Sequence, residues 1–495
     1  MQKLAQITHR FSHVNDGWFW LLMLLYAGAN CLLFAFEVYV LALLPFFITV
    51  LWLLIYYPKK IVLFLAFSTP FSLVVTFEQF GVSISLPTEP LLILLMLLFW
   101  FRLFMGGWFD LNIFKHPIAI AIMFNLVWVF ITSFSSSMPV VSFKFFLARF
   151  WFVSVFFFFG VYVFKNIKNI KSFIFLFCTA MCGVIFYALY RHSLRLWEQN
   201  YANMAPNPFF GDHGIYAAVL ALFLPVFIYF ILKPNTFKLT PLTLGLSYFI
   251  FFVFSVGLVM SFTRAAWISL GASMVMLVIF MLRIKLYQLV IVACLVLGVL
   301  SYYQTEIYHK LRANNQVSTN DIEGHVKSIY NISTDASNTE RINRWMSAYR
   351  MFKERPVLGW GPGTYMFQYA PFQLSSEMTI ISTRAGTLGN AHSEYIGPLA
   401  ESGLPGMLSI FAIVLTSLYR GMQMIYYARN KLVRYLALSL TLGLISYYTH
   451  GFLNNYLDMD KAAIPVFGFL SMLTALDLYH FRNEAKAQPA DKTIS

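Results

Sequence analysis

Runs of about 20 apolar residues recur along the chain between short polar joints, each long enough to cross ~30 Å of hydrocarbon. The pattern predicts fourteen membrane-spanning helices, roughly at 17–35, 38–57, 61–78, 89–105, 117–135, 147–165, 172–190, 214–233, 241–262, 265–283, 286–303, 402–420, 432–451 and 462–480. The first two divide around Glu37. Residues 304–393 break the rhythm with no span at all, a stretch too long for an ordinary connector. The expected fold is an all-α polytopic membrane protein with about 12–14 spans and one long, partly helical outer loop. Its parts are a membrane domain over 1–303, the loop over 304–393, three closing spans within 394–481 and a tail over 482–495.

Composition agrees: of 495 residues, 59% are hydrophobic, 19% aromatic and 11% charged, whereas soluble chains carry about a quarter charged residues. With the N-terminus in the cytoplasm, 20 of the 35 Lys and Arg fall on the cytoplasmic side, nine in the long loop and six at or near short outer loops. Short loops obey the positive-inside rule and long ones largely escape it, so both termini are expected in the cytoplasm. The formal charge of +14 then reflects topology and an anionic lipid leaflet, with no nucleic-acid partner implied. Cys31, Cys178, Cys182 and Cys294 all fall inside spans, which gives neither a disulfide framework nor a zinc pattern. Ala27-Gly28-Ala29 could suit a signal peptidase, but the apolar run continues through Leu32–Phe36, so it is read as part of a span.

Some outward-facing cations are not explained by orientation. Arg191 and Arg195 follow the seventh span in "YRHSLRLWEQN", Arg264 sits in the turn "MSFTRAAW", and the loop adds Arg341, Arg344, Arg350, Lys353, Arg355 and Arg384. Charge at a membrane edge is costly and reads as functional by default. The plain alternatives are a snorkelling Arg264 and solvated loop arginines. Together the cations suggest an anionic ligand, because guanidinium matches phosphate bidentately. A lipid-linked diphosphate, a fatty-acid carboxylate or an anionic polysaccharide would each fit.

Within the loop, "SNTERINRWMSAYRMFKERP" predicts a helix with capping-box spacing at Ser337 and Glu340, ended by Pro356. Ile342, Trp345, Met346, Tyr349 and Phe352 form an apolar stripe at helical spacing, expected to pack on the membrane domain or to lie at the interface. Gly359, Gly361 and Gly363 follow; they could cradle a phosphate or simply make a tight turn. His392 closes the loop in "NAHSEYIGPLAESGLPG", with Glu394 and Glu401 nearby. A histidine at a helix entry is either a cap or, kept neutral by the helix dipole, a base. Topology returns it to the face that carries Arg264, Arg191 and Arg195, and a base beside arginines suits transfer from a diphosphate ester.

"AHSEYIGPLAESGLPG" resembles the signature of the O-antigen ligase and polymerase superfamily: His392, Ser393, nine residues, then Gly403-Leu-Pro-Gly406. "SFTRAAW", "ERINRWMSAYRMFKERPVLGWGPGTY" and "NPFFGDHGIYAAVLALFLP" are similar to further family segments, so the resemblance covers most of 207–410. Ala265 replaces the commoner glycine after the arginine, and fourteen spans exceed the family's usual twelve or so. The resemblance implies a bacterial inner-membrane glycosyltransferase moving a glycan from undecaprenyl diphosphate to an acceptor hydroxyl in the periplasm. The acceptor would be a growing glycan, the lipid A–core of lipopolysaccharide or a protein hydroxyl, with no cofactor and no metal. It further implies His392 as general base and Arg264 as diphosphate ligand, with Arg191, Arg195 and Arg341 assisting. Arg344, Glu394 and Glu401 are expected at the same substrate site, the glutamates as partners of arginine or, in a double displacement, as a carboxylate nucleophile. The competing class is a transporter or flippase for an anionic lipid-linked substrate. Such a protein should carry ionisable residues near the midplane and related halves; here the charges gather at the outer edge and the halves are dissimilar.

Overall fold

A computed structural model describes residues 16–37, 40–77, 82–106, 109–303, 336–379, 382–383 and 389–483. The chain forms two compact units, Met1–Ile61 and Val62–Ser495. The first contains α1 (Asp16–Ala35), α2 (Leu44–Tyr56) and the opening turn of α3 (Pro58–Ser68). The second contains the rest of α3, a hairpin of β1 (Leu73–Phe77) and β2 (Val82–Leu86), and then, among the described residues, helices without further strands. These are α4 (Thr88–Phe104), α5 (Pro117–Phe134), α6 (Pro139–Phe164), α7 (Ile167–Ser193), α8 (His213–Leu232), α9 (Pro241–Met260), α10 (Arg264–Met281), α11 (Leu286–Tyr302), α12 (Ala336–Glu354), α13 (Ile396–Tyr427), α14 (Lys431–His450) and α15 (Asp460–Leu476).

Among the described residues, eight helices are long and apolar enough to cross a membrane: α5 to α10, α13 and α15 with its extension to Phe481. The protein is an all-α polytopic membrane protein. Helix starts follow local chemistry. Pro117, Pro139 and Pro241 stand at first positions, where the missing N–H costs nothing. Asn166, Asp212 and Asn430 cap with side-chain oxygens, accepting from Lys168 N at 3.0 Å, Gly214 N at 2.7 Å and Leu432 N at 2.9 Å.

The span expected at 61–78 is different. Its helix ends at Ser68, Pro70 follows in a short 3₁₀ turn, and Leu73–Phe77 pairs antiparallel with Val82–Leu86, Val75 opposite Ile84. Apolar content alone cannot separate strand from helix; the β-branched Val74-Val75-Thr76 run favours the strand. The hairpin base is held by α15. Lys461 Nζ donates to Thr69 O at 2.5 Å and Ser72 O at 2.8 Å, while Asp460 accepts from Ser72 Oγ at 2.6 Å and Thr88 Oγ1 at 2.8 Å. At the opposite ends of the helices, buried Asp477 accepts from Arg420 at 2.6 and 2.8 Å and sits 2.6 Å from His116 Nε2. Buried charges that are fully paired in this way tie helices together, and removing one partner is what costs.

The loop helix α12 matches the expected position within a residue at each end, but its buried face is different. Asn343, Arg344, Ser347, Ala348 and Met351 are buried, whereas Tyr349 is 44% exposed and the other members of the expected apolar stripe are half-buried. The face that packs is polar because it meets polar partners. Glu340, the expected capping-box residue, bonds to Arg344, Thr379 and Ser382.

Candidate active site

Antiparallel succession brings the end of α7, the starts of α8 and α10, the end of α14 and the start of α13 to one side of the membrane domain. Thr263, the residue before α10, places its Oγ1 3.5 Å from His213 O at the start of α8, so Arg264 opens α10 beside that start. Asp212 accepts from Tyr456 Oη at 3.0 Å and lies 3.3 Å from His213 Nδ1. Arg341 of α12 donates from Nε to Leu453 O at 3.2 Å, so the loop helix is joined to the α14–α15 connection. The charges of Arg341 and Asp212 act on the same four side chains: His213, His392, His450 and Tyr456. One cation and one anion thus share a cluster of three imidazoles and a phenol.

His392 enters this cluster through an unusual backbone. Its φ is +49°, the left-handed region that a side-chain-bearing residue rarely adopts, and Asn390 Oδ1 holds its N–H at 3.0 Å. The imidazole has no hydrogen-bond partner among the described residues. Burial first, and then the charges of Arg341 and Arg344, push its pKa down to about 4 against the pull of Asp212 and Glu340. The ring is therefore neutral at pH 7, the state a proton acceptor needs.

Glu394 and Glu401 have other duties. Glu394 Oε1 accepts from Tyr456 N at 2.6 Å, Leu457 N at 2.9 Å and Tyr447 Oη at 3.0 Å, while its own N–H donates to Gly451 O at 2.7 Å. Glu401 accepts from Tyr365 N at 3.0 Å. Both acids hold backbone and tyrosine donors, and the guanidinium whose charge reaches them is Arg149, which pairs with Asp458 at 3.0 Å. They line a cavity of about 90 Å³ with Arg149, Asn390, Ser393, Asn455 and Asp458.

The glycine turn is also occupied. Trp360 N donates to Ala400 O at 3.0 Å and Gly361 N to Glu401 O at 2.7 Å, so these amides dock the loop onto α13. Gly359 needs φ +68°, and a Cβ there would meet Glu401 C at 2.3 Å. Of the two sequence alternatives, the tight turn accounts for these contacts.

Arg344 is buried against Glu340 at 2.6 Å, with its guanidinium over the Tyr369 ring at 4.1 Å. Arg191 clamps its own loop, donating to Met204 O at 3.2 Å, Asn207 O and Tyr201 Oη at 2.9 Å. Arg195 is exposed and lies over the Tyr201 ring at 5.4 Å. Arg350 pairs with Glu377 at 2.5 Å and Arg355 covers Trp360 at 4.2 Å; Arg384 lies outside the described residues. The structure thus puts His392 under the charge of Arg341, joins the start of α10 to that of α8, and gives Arg344, Arg191 and the two glutamates bonding roles within the chain. Sequence reasoning did not single out Asp212, His213, His450 and Tyr456. Their signal was parity: each is a polar residue at or near a span end on the side that carries His392.

A polytopic helical membrane protein with histidines and Arg341 at one edge suits chemistry on a charged, lipid-borne substrate. Residues 249–411 match the family described as O-antigen ligase, which supports the resemblance to the O-antigen ligase superfamily over that stretch. The matched stretch holds Arg264, Arg341 and His392, and leaves Asp212, His450 and Tyr456 outside it. No curated protein matches the chain. The family supports a membrane glycosyltransferase of the ligase or polymerase type, acting on lipid-linked glycan and acceptor substrates.

Proposed function

We propose that the protein transfers a glycan from undecaprenyl diphosphate to an acceptor hydroxyl at the periplasmic face of a bacterial inner membrane, with His392 as general base. The observation that carries this reading is the His392 imidazole, unbonded to any described residue, held on a left-handed backbone and kept neutral by burial and by the charges of Arg341 and Arg344. In the reaction, His392 takes the proton of the acceptor hydroxyl as its oxygen attacks the anomeric carbon. The bond from that carbon to the diphosphate oxygen breaks, and the leaving diphosphate departs with the electron pair. Arg341 and Arg264 neutralise the charge that develops on it. A positioned base contributes about 10²–10⁴-fold, and a single displacement inverts the anomeric centre. The domain roles follow: a membrane domain over 1–303, a periplasmic loop over 304–393, closing spans within 394–481 and a cytoplasmic tail.

The acceptor decides between ligase and polymerase. In a deletion strain, long glycans stranded on the lipid carrier indicate a ligase, whereas single repeat units still reaching their target indicate a polymerase. Donor lipid trapped at the cytoplasmic leaflet would instead point to a transporter. Complementation with His392→Ala and Arg264→Ala at normal protein level then tests the mechanism, and full recovery by His392→Ala would remove the base.

A further inference from the structure

His450 closes α14 on the side of the membrane domain that carries His392. It is 1% exposed. Asn454 Nδ2 lies 3.1 Å from its Nε2, and an amide nitrogen can only donate, so Nε2 accepts and the ring proton resides on Nδ1. Nδ1 is buried and bonded to no described group. A buried N–H left without an acceptor is expensive, and each such group calls for an explanation. Here the surroundings supply one. Arg341 is the charged group that acts most strongly on His450, followed by Asp212. Asp212 is already engaged by Gly214 N at 2.7 Å and Tyr456 Oη at 3.0 Å. Arg341 is fixed to the same connection by its bond to Leu453 O. A fixed cation beside a neutral N–H donor is a pair suited to an anionic oxygen.

We infer that His450 is a substrate-positioning residue whose Nδ1–H donates to a phosphate oxygen of the donor's diphosphate. This rests on the diphosphate reading above and adds a neutral donor to the arginines. The division has a chemical logic. Neutral donors orient the diphosphate in the bound state, and the guanidiniums respond to the charge that grows on it during departure.

The test is binding of inorganic pyrophosphate to the purified full-length protein in lipid nanodiscs, by calorimetry, with melting temperature measured alongside. His450→Asn places an amide N–H near the Nδ1 position, and His450→Gln places one near Nε2 only. The expected result is Asn within about threefold of wild type, and Gln and His450→Phe each weaker by about tenfold, the scale of one hydrogen bond to a charged group. Asn and Gln should melt alike, which a merely structural role would not pair with different affinities. Equal affinity for wild type, Asn and Gln overturns the assignment while leaving the diphosphate reading in place. Absence of saturable binding by wild type overturns the diphosphate reading itself. If His450→Phe fails to fold, the Asn and Gln pair decides alone.

Discussion

Tyr456 Oη donates to Asp212 Oδ2 at 3.0 Å, tying the start of α8 to the connection between α14 and α15. The same tyrosine donates its backbone N–H to Glu394 at 2.6 Å, so one residue links the histidine segment to two helices. Tyr456→Phe keeps the ring and removes only the hydroxyl. Glycan transfer should fall about tenfold, the scale of one hydrogen bond to a charged group, with the protein still folded; a transfer assay on purified Tyr456→Phe checks it. An unchanged rate would separate Asp212 from the site.

Glu394 carries a stability prediction. Ala at this position leaves the N–H groups of Tyr456 and Leu457 and the Tyr447 hydroxyl without their acceptor, each costing roughly 1–3 kcal/mol. Glu394→Ala should therefore not accumulate, and Glu394→Gln, which retains Oε1, should. The pH dependence has a definite sign. Burial, helped by the Asp458 charge, raises Glu394 from 4.5 to about 7, so the folded state holds the proton more tightly than the unfolded one. Its contribution is complete below about 4.5 and is lost as pH rises through about 7. Melting curves between roughly pH 5 and 8 should slope downward in wild type and be flatter in Glu394→Gln.

The loop helix has the opposite sign. Burial opposes ionisation of Glu340, but hydrogen bonds from Ser382 and Arg344 outweigh it and hold the carboxyl below its ordinary value. That contribution is present above 4.5 and lost as pH falls through the lowered value. Limited proteolysis should release α12 at acid pH in wild type, and already at neutral pH in Glu340→Gln.

The glycines of the histidine motif act through space. Gly403 adopts φ +68° within α13, and a Cβ there would lie 2.1 Å from Val357 O. Gly403→Ala and Gly359→Ala should each abolish folded protein, measured by size-exclusion yield. Gly245→Ala, with nothing within 4 Å, should be tolerated.

The helical membrane fold was legible because ~20-residue apolar runs leave few alternatives. Positions 73–77 were not, since a strand and a span share the same apolar content and only pairing with 82–86 distinguishes them. His392 was legible as a polar residue placed where a membrane helix begins, and Arg341 as one of several loop cations. What set Arg341 apart from Arg344 is three-dimensional: one reaches the α14–α15 connection, and the other is buried against Glu340. The α12 stripe misled because hydrophobic spacing assumes apolar partners, and this helix packs through Asn343, Arg344 and Ser347. His450 lay hidden as the last residue of a span, since its orphaned Nδ1 appears only when the neighbours are in place.

The central claim is that His392 removes the acceptor's proton, and single-turnover transfer by purified protein from a lipid-linked diphosphate donor tests it most directly. The predicted result for His392→Ala is a rate lower by about 10²–10⁴-fold, with donor affinity within about threefold of wild type. For wild type, kcat/KM should rise with pH through about 4 as the imidazole loses its proton, then level off toward neutrality. A His392→Ala protein that transfers glycan at the wild-type rate, folded and in the same amount, would contradict the account.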